Sequence, residues 1–180
     1  MIRQPAPRGQ VATIHRYGIA LGSNLGDRLA ALRNAAQAMK TLADFSVPVL
    51  QAPIYESAPV DCPAGSESFL NSVLEISFYG HPRALFEHLK AIERAMGRPV
   101  EREKNAPRAI DLDLLYADAL TINEPDLQVL HPQLTQRRFV LEPLAHIQPA
   151  RILPGQSLNV RELLARLPAE PILTEVATSW

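Results

Sequence analysis

At 180 residues, 47% of them hydrophobic and 21% charged, the chain has the length and composition of one globular domain able to bury a sizeable core. Its net charge of −1 excludes an overall field that draws it to nucleic acid or to an anionic membrane, and no apolar run approaches the ~20 residues of a membrane span. Cys62 is the only cysteine, which excludes an intrachain disulfide and points to a cytoplasmic setting.

Residues 1–15 carry Arg3, Arg8, Pro5, Pro7 and Gly9 but no acid, and are expected to form a flexible tail ahead of a single domain over 16–180. Tyr17–Leu21 is a short apolar strand, followed by a turn over Gly22–Asp27. Asp27 can cap a helix reaching about Ala43, with Leu29, Leu32, Ala36, Met39 and Leu42 on one stripe. Val47–Ser57 reads as a second strand, placed at an edge or bulged because it holds Pro48 and Pro53. A loop over 58–67 leads to a strand over Phe69–Tyr79. Pro82 then opens a helix that ends at Gly97, with Leu85, Leu89, Ile92 and Met96 as its core stripe.

The next strand, 110–116, carries the most chemistry. Asp111 and Asp113 alternate with Ile110, Leu112 and Leu114, so on a strand the acids share one face and the apolar residues the other. Two carboxylates on Cα atoms roughly 7 Å apart along one face repel unless a cation sits between them, and hard divalent ions, Mg²⁺ first, suit oxygen donors. Arg108 puts a fixed positive charge at the rim, at the end of a basic stretch running from Arg98. Acids, metal and arginine together suggest chemistry on a polyphosphate. The plainer alternative is a solvated strand face, with the arginines paired to Glu101 or Glu103.

Beyond lie a short strand or hairpin near Ala119–Ile122, a loop at His131-Pro132, a helix near Phe139–Ile147 and a last helix near Val160–Leu167, stopped by Pro168. The first six elements run β-α-β-β-α-β. That order predicts an α+β fold, a ferredoxin-like βαββαβ sandwich with C-terminal additions, its helices on one face of an antiparallel sheet.

Gly22-Ser23-Asn24-Leu25, Phe69-Leu70-Asn71, Lys104-Asn105-Ala106-Pro107-Arg108-Ala109-Ile110-Asp111-Leu112-Asp113, His131-Pro132 and Arg137-Arg138-Phe139 occur in order. Over residues 17–147 the chain resembles the 6-hydroxymethyl-7,8-dihydropterin pyrophosphokinases of folate biosynthesis. The resemblance implies transfer of the pyrophosphoryl group of ATP to the pterin hydroxymethyl oxygen, with release of AMP. It implies two Mg²⁺ ions on Asp111 and Asp113, with Arg98 and Arg108 supporting transfer. For the pterin it implies stacking on Phe69 and Phe139, reading of its edge by Asn71, and a loop of Ser57, Ala58, Pro59 and Val60. For ATP it implies Glu93, Leu114, His131 and Arg137. Without the resemblance, Phe69 and Phe139 read as core, Glu93 as a solvated helix face, and His131 equally as a satisfied loop histidine or a ligand. Asn105 stands where many relatives have an aromatic, Ala106 where they have glycine, and Val100 where some have arginine; activity is expected to survive, because Asp111, Asp113 and Arg108 are intact. A monomer acting on small molecules, without nucleic-acid or membrane partners, is expected. The competing readings are a non-catalytic ferredoxin-like module binding a small ligand or RNA, and another Mg²⁺-dependent phosphotransferase.

Overall fold

The structure, a computed structural model, describes residues 14–59, 65, 67–97, 107–170 and 172–180. Strand β1 (Ile14–Ser23) buries Tyr17, Ile19 and Leu21 on alternate positions. Helix α1 (Arg28–Lys40) starts where Asp27 accepts a hydrogen bond from the Ala30 N–H at 2.9 Å, and it ends three residues before the expected Ala43. The expected strand over 47–57 is divided into β2 (Leu50–Gln51) and β3 (Ile54–Ser57). Pro53 lacks the N–H that a continuous ladder needs, and the carbonyls of Ala52 and Pro53 both accept from the Ser72 hydroxyl. Strand β4 (Phe69–Tyr79) is the spine of the sheet, and helix α2 (Pro82–Ala95) follows with Pro82 in its first turn.

Strand β5 (Asp111–Ala117) lies beside β1, and the main sheet runs β5-β1-β4-β3 and ends on β8 (Leu173–Ala177), with β2 also on β4 and every pairing antiparallel. Strand β8 (Leu173–Ala177) was not expected from the sequence; it pairs with β3, setting Ser57 opposite Leu173. Its polar, charged pattern (Thr174, Glu175) gave no strand signal. Trp180 anchors the segment: its indole donates to the Ala52 carbonyl at 2.8 Å, and its own carbonyl accepts from Gln51. Two short strands, β6 (Ile122–Asn123) and β7 (Gln128–Val129), pair with each other.

The helices occupy both faces. Helices α1 and α2 cover one, over a core of Ile19, Leu21, Leu32, Leu70, Leu74, Leu85, Leu89, Leu112 and Leu114. Helices α3 (Arg138–Ile147) and α4 (Val160–Arg166) cover part of the other, over Val73, Leu115, Tyr116, Leu134, Val140, Leu141, Leu144 and Val160. The one-face arrangement expected for the helices of the βαββαβ elements is found for α1 and α2, and the helices beyond those elements take the other face. The elements past β5 needed an apolar surface of their own, and a bulge between Gly18 and Ile19 supplies it by turning both Leu115 and Tyr116 toward α3.

The Tyr116 ring lies flat on Gly18. A Cβ at position 18 would stand 2.2 Å from a ring carbon, and the ring is fully buried with its hydroxyl bonded to Glu75 at 2.5 Å. Gly18→Ala is therefore expected to destabilise the protein by about 3 kcal/mol, the upper end for overpacking a core. Denaturant unfolding checks this; an unchanged midpoint would mean that the ring has room to retreat.

Candidate active site

The face of the sheet that α3 and α4 leave uncovered forms the floor of a cleft of about 450 Å³. The floor is built by alternation. Odd-numbered residues of β4 (Phe69, Asn71) and β5 (Asp111, Asp113) reach it, while Leu70, Leu112 and Leu114 point to the opposite core. Asp111 lies across from Gly22 and Asp113 across from Ala20, so the neighbours of the acids are nearly bare backbone. Gly22 is central: a Cβ there would sit 3.5 Å from Asn71 Oδ1, 4.0 Å from the Asp111 Cβ and 4.0 Å from the Phe69 ring. The acid pair and the aromatic-amide group are thus two halves of one floor. The opposite wall comes from His131, Gln133, Gln136 and the start of α3 (Arg137, Arg138, Phe139), with Leu167, Pro168 and Glu170 beyond α4.

Arg108 joins the two halves. Its Nε lies 3.1 Å from Asp111 Oδ2, and its guanidinium stands 5.5 Å from the Phe69 ring centre. Its backbone is gripped on both sides by Asn24: the Arg108 N–H donates to Asn24 Oδ1 at 2.9 Å, and the Asn24 N–H donates to the Arg108 carbonyl at 3.1 Å. That explains a buried asparagine in the segment expected as a turn over Gly22–Asp27. Across the cleft, Arg137 stands 5.5 Å from the ring centre of Phe139.

Burial pushes the Asp113 carboxyl above the ordinary carboxylate range, and the charge of Asp111 pushes it further; His131, Lys90 and Arg137 oppose this. Burial lowers the basicity of His131, with Asp113 opposing. His131 Nδ1 accepts from the Gln133 N–H at 3.2 Å, so the neutral ring carries its proton on Nε2. The loop is tied to the acid strand through the His131 N–H, which donates to the Leu115 carbonyl at 2.8 Å.

Asn71 Nδ2 donates to the Ser57 hydroxyl at 2.9 Å, and both side chains are buried. This bond fixes the amide orientation and aims Oδ1 at the Gly22 side of the cleft.

The structure brings Ser57, Ala58, Phe69, Asn71, Arg108, Asp111, Asp113, His131, Arg137 and Phe139 to one cleft. Three expected residues lie off it. Pro59 is outside the lining, and the Leu114 side chain is in the core. Glu93 is neither on the cleft nor on a solvated face. It is buried on the α2 side, where its carboxylate accepts from the Leu112 N–H at 2.7 Å and pairs with Lys90 at 3.0 Å. Lys90 also donates to the Leu112 carbonyl. Together they hold the peptide groups of the residue between the two acids. Arg98 and Val60 fall outside the described residues, as do Cys62, Val100, Lys104, Asn105 and Ala106.

Among the described residues no group of three or more His, Cys, Asp or Glu is placed to enclose a metal by itself. The donor set present is a pair of hard carboxylates that repel each other. This fits Mg²⁺, which is commonly held by one or two carboxylates and completes its shell with water and substrate phosphate oxygens.

Residues 18–149 match the family of 7,8-dihydro-6-hydroxymethylpterin-pyrophosphokinases (HPPK). The chain belongs to this family. An HPPK from Pseudomonas aeruginosa, described as a 2-amino-4-hydroxy-6-hydroxymethyldihydropteridine pyrophosphokinase, is 36% identical over 88% of this chain and 96% of its own length. The Bacillus subtilis protein of the same description is 40% identical over 72% of the chain and 75% of its own length. A folic acid synthesis protein of Dictyostelium discoideum is 35% identical over 83% of this chain, but the chain spans only 22% of that much longer protein. Among solved structures, Plasmodium falciparum HPPK-DHPS with SDX-DHP shares the fold, with a TM-score of 0.69 at 12% identity, over 88% of this chain and 45% of that one. The HPPK match ends before α4 and β8, although Leu167, Pro168 and Glu170 stand in the cleft wall.

Proposed function

We propose that this chain transfers the pyrophosphoryl group of ATP to 6-hydroxymethyl-7,8-dihydropterin in folate synthesis. The hydroxymethyl oxygen attacks the β-phosphorus, the bond from that phosphorus to the α,β-bridging oxygen breaks, and AMP leaves while the alcohol gives up its proton. The observation that carries this reading is the shared floor: an acid pair for a metal–polyphosphate and an aromatic-amide slot for a flat heterocycle meet at Gly22.

Asp111 and Asp113 would hold Mg²⁺, two ions on the family resemblance. Bound there, the metal supplies charge neutralisation for a triphosphate in a loose transition state. Arg108 presents a planar cation beside Asp111, suited to phosphate oxygens. His131, neutral with its proton on Nε2, donates a hydrogen bond rather than taking a proton, and Arg137 adds positive charge on the same wall. No strong base is needed, because a loose transition state depends on positioning and charge. Phe69 and Phe139 offer faces to the pterin, and Asn71 Oδ1 accepts from its N–H edge. Glu93 supports the acid strand from behind, and Arg98, on the family resemblance, supports transfer.

The strand order β5-β1-β4-β3, with α1 and α2 on one face, supports a ferredoxin-like core within a single domain over 16–180, β8, α3 and α4 being additions. A cytoplasmic monomer working on small molecules fits the single cysteine and the net charge of −1. Among the described residues no helix is long and apolar enough to cross a membrane.

The test is incubation with ATP, Mg²⁺ and the hydroxymethyl-dihydropterin. AMP and the pterin diphosphate are expected. ADP instead would mean an ordinary kinase, and no turnover would favour a binding module. Phe139→Ala is expected to weaken pterin binding about tenfold or more, since stacking on an aromatic face is worth on the order of 1–3 kcal/mol per base, while nucleotide affinity changes little. Equal loss of both ligands in calorimetry would mean that Phe139 only shapes the fold.

A further inference from the structure

At the far end of the pterin half, on the opposite face of the sheet, a charged side chain ties three elements together. Arg28, the first residue of α1, donates from one guanidinium nitrogen to Glu56 Oε1 at 2.8 Å, to the Ser68 carbonyl at 2.8 Å and to the Ser68 hydroxyl at 2.9 Å. The Ser68 hydroxyl in turn donates to Glu56 Oε1 at 2.6 Å. Both Ser68 and Arg28 hold the Glu56 carboxyl below its usual range. No residue of this triad lines the cleft.

Its position gives it a task. Glu56 precedes Ser57, and Ser68 precedes Phe69. The pair Ser57–Phe69 is the last rung between β3 and β4 before the chain leaves over residues 58–67. Ends of antiparallel ladders fray unless something bridges them. Here the bridge passes from β3 through Glu56 and Arg28 to the residue just outside β4. Opening of that rung would separate the Ser57 hydroxyl from Asn71 and swing the Phe69 ring. The acid pair would be spared, since it stands on β5, with β1 and β4 between it and β3.

We infer that Arg28 is a positioning residue for the pterin half of the site, acting through Glu56 and Ser68 on Ser57, Asn71 and Phe69. The inference rests on the proposed pterin reading, and it predicts a division between the two substrates that a general loss of stability would not produce.

The test is titration calorimetry of full-length wild type, Arg28→Ala, Arg28→Lys and Glu56→Gln. One series uses a non-hydrolysable ATP analogue with Mg²⁺, and the other uses 6-hydroxymethyl-7,8-dihydropterin with the analogue present. In Arg28→Ala the pterin Kd is expected to rise about tenfold, as loss of a charge-assisted hydrogen-bond set implies. The analogue Kd should stay within about twofold, because the acids stand on β5, and Arg108, the side chain shared by the two halves, has its backbone held by Asn24 rather than by Arg28. Arg28→Lys should recover part of the loss, because one donor still reaches Glu56. Glu56→Gln keeps the acceptor but removes the charge, so it should give a smaller rise in the same direction. If Arg28→Ala does not fold, Glu56→Gln decides alone. An unchanged pterin Kd, or equal weakening of both ligands, overturns the assignment. Failure of wild type to bind the pterin at all overturns the functional reading, and the assignment with it.

Discussion

Asn at either position of the acid pair, Asp111→Asn or Asp113→Asn, is expected to lower AMP-forming turnover at least about 100-fold, since losing a charge partner of the transition state costs on the order of 3 kcal/mol. The argument is geometric. The two acids share the cleft face of β5, and Gly22 and Ala20, opposite them, bring no cation or hydrogen-bond donor of their own on a side chain. The fold should not suffer. Burial and the charge of Asp111 already disfavour the ionised form of Asp113, so an amide there relieves repulsion. In metal-free buffer Asp113→Asn should therefore melt at or above the wild-type temperature, while Mg²⁺ no longer raises its melting point. Two variants with wild-type turnover would remove the metal assignment. A variant that loses activity only because it unfolds would show the acids to be structural.

The second large effect is on stability and lies away from the cleft. Glu75 is fully buried in β4 yet surrounded: Arg16 donates to it through Nε at 2.7 Å, Gln148 at 2.8 Å, Arg151 at 3.0 Å and the Tyr116 hydroxyl at 2.5 Å. Arg151 also stands 4.5 Å from the Tyr116 ring centre. Burial, and then the Glu75 charge, drive the Tyr116 hydroxyl well above the ordinary phenol range, so it remains a donor. Glu75→Ala leaves two guanidinium groups, an amide and a phenol without this acceptor. Breaking a buried pair from one side costs about 3–5 kcal/mol, which for a chain of this length corresponds to roughly 10 °C in melting temperature. Glu75→Leu tests a different point: if it restores stability, the cluster contributes specificity of packing rather than net energy. Thermal melts of both variants decide. A loss under about 1 kcal/mol in Glu75→Ala would mean that water replaces the carboxylate.

Much of this was legible in the chain itself. The alternation of Ile110, Leu112 and Leu114 with Asp111 and Asp113 set the facing of β5, because side-chain direction on a strand follows from parity alone. Asp27 and Pro82 marked their helix starts for local reasons of capping and ring geometry. What stayed hidden depends on distant partners. Glu93 carries no local sign that its carboxylate will meet the Leu112 N–H, and polarity on a helix reads as exposure. Asn24 looked like a turn residue because its partner, Arg108, is 84 positions away. Strand β8 lacks apolar alternation because it is an edge strand whose three central side chains are exposed, so its identity comes from the ladder it joins. The bulge at Gly18, which gives α3 its seat, is set by how Tyr116 rests on a bare backbone, and no periodicity reports that.

The pairing of β8 with β3 bears on how the protein matures. Ser57 belongs to a strand whose second flank is supplied by residues 173–177, and the Trp180 indole closes a span of 128 positions back to Ala52. During synthesis, β3 waits as a one-sided ribbon until residues 173–177 have left the ribosome. On the proposed reading, competence to recognise the heterocycle therefore follows the emergence of residues 173–177, while the acid notch between β1 and β5 needs only residues 14–117.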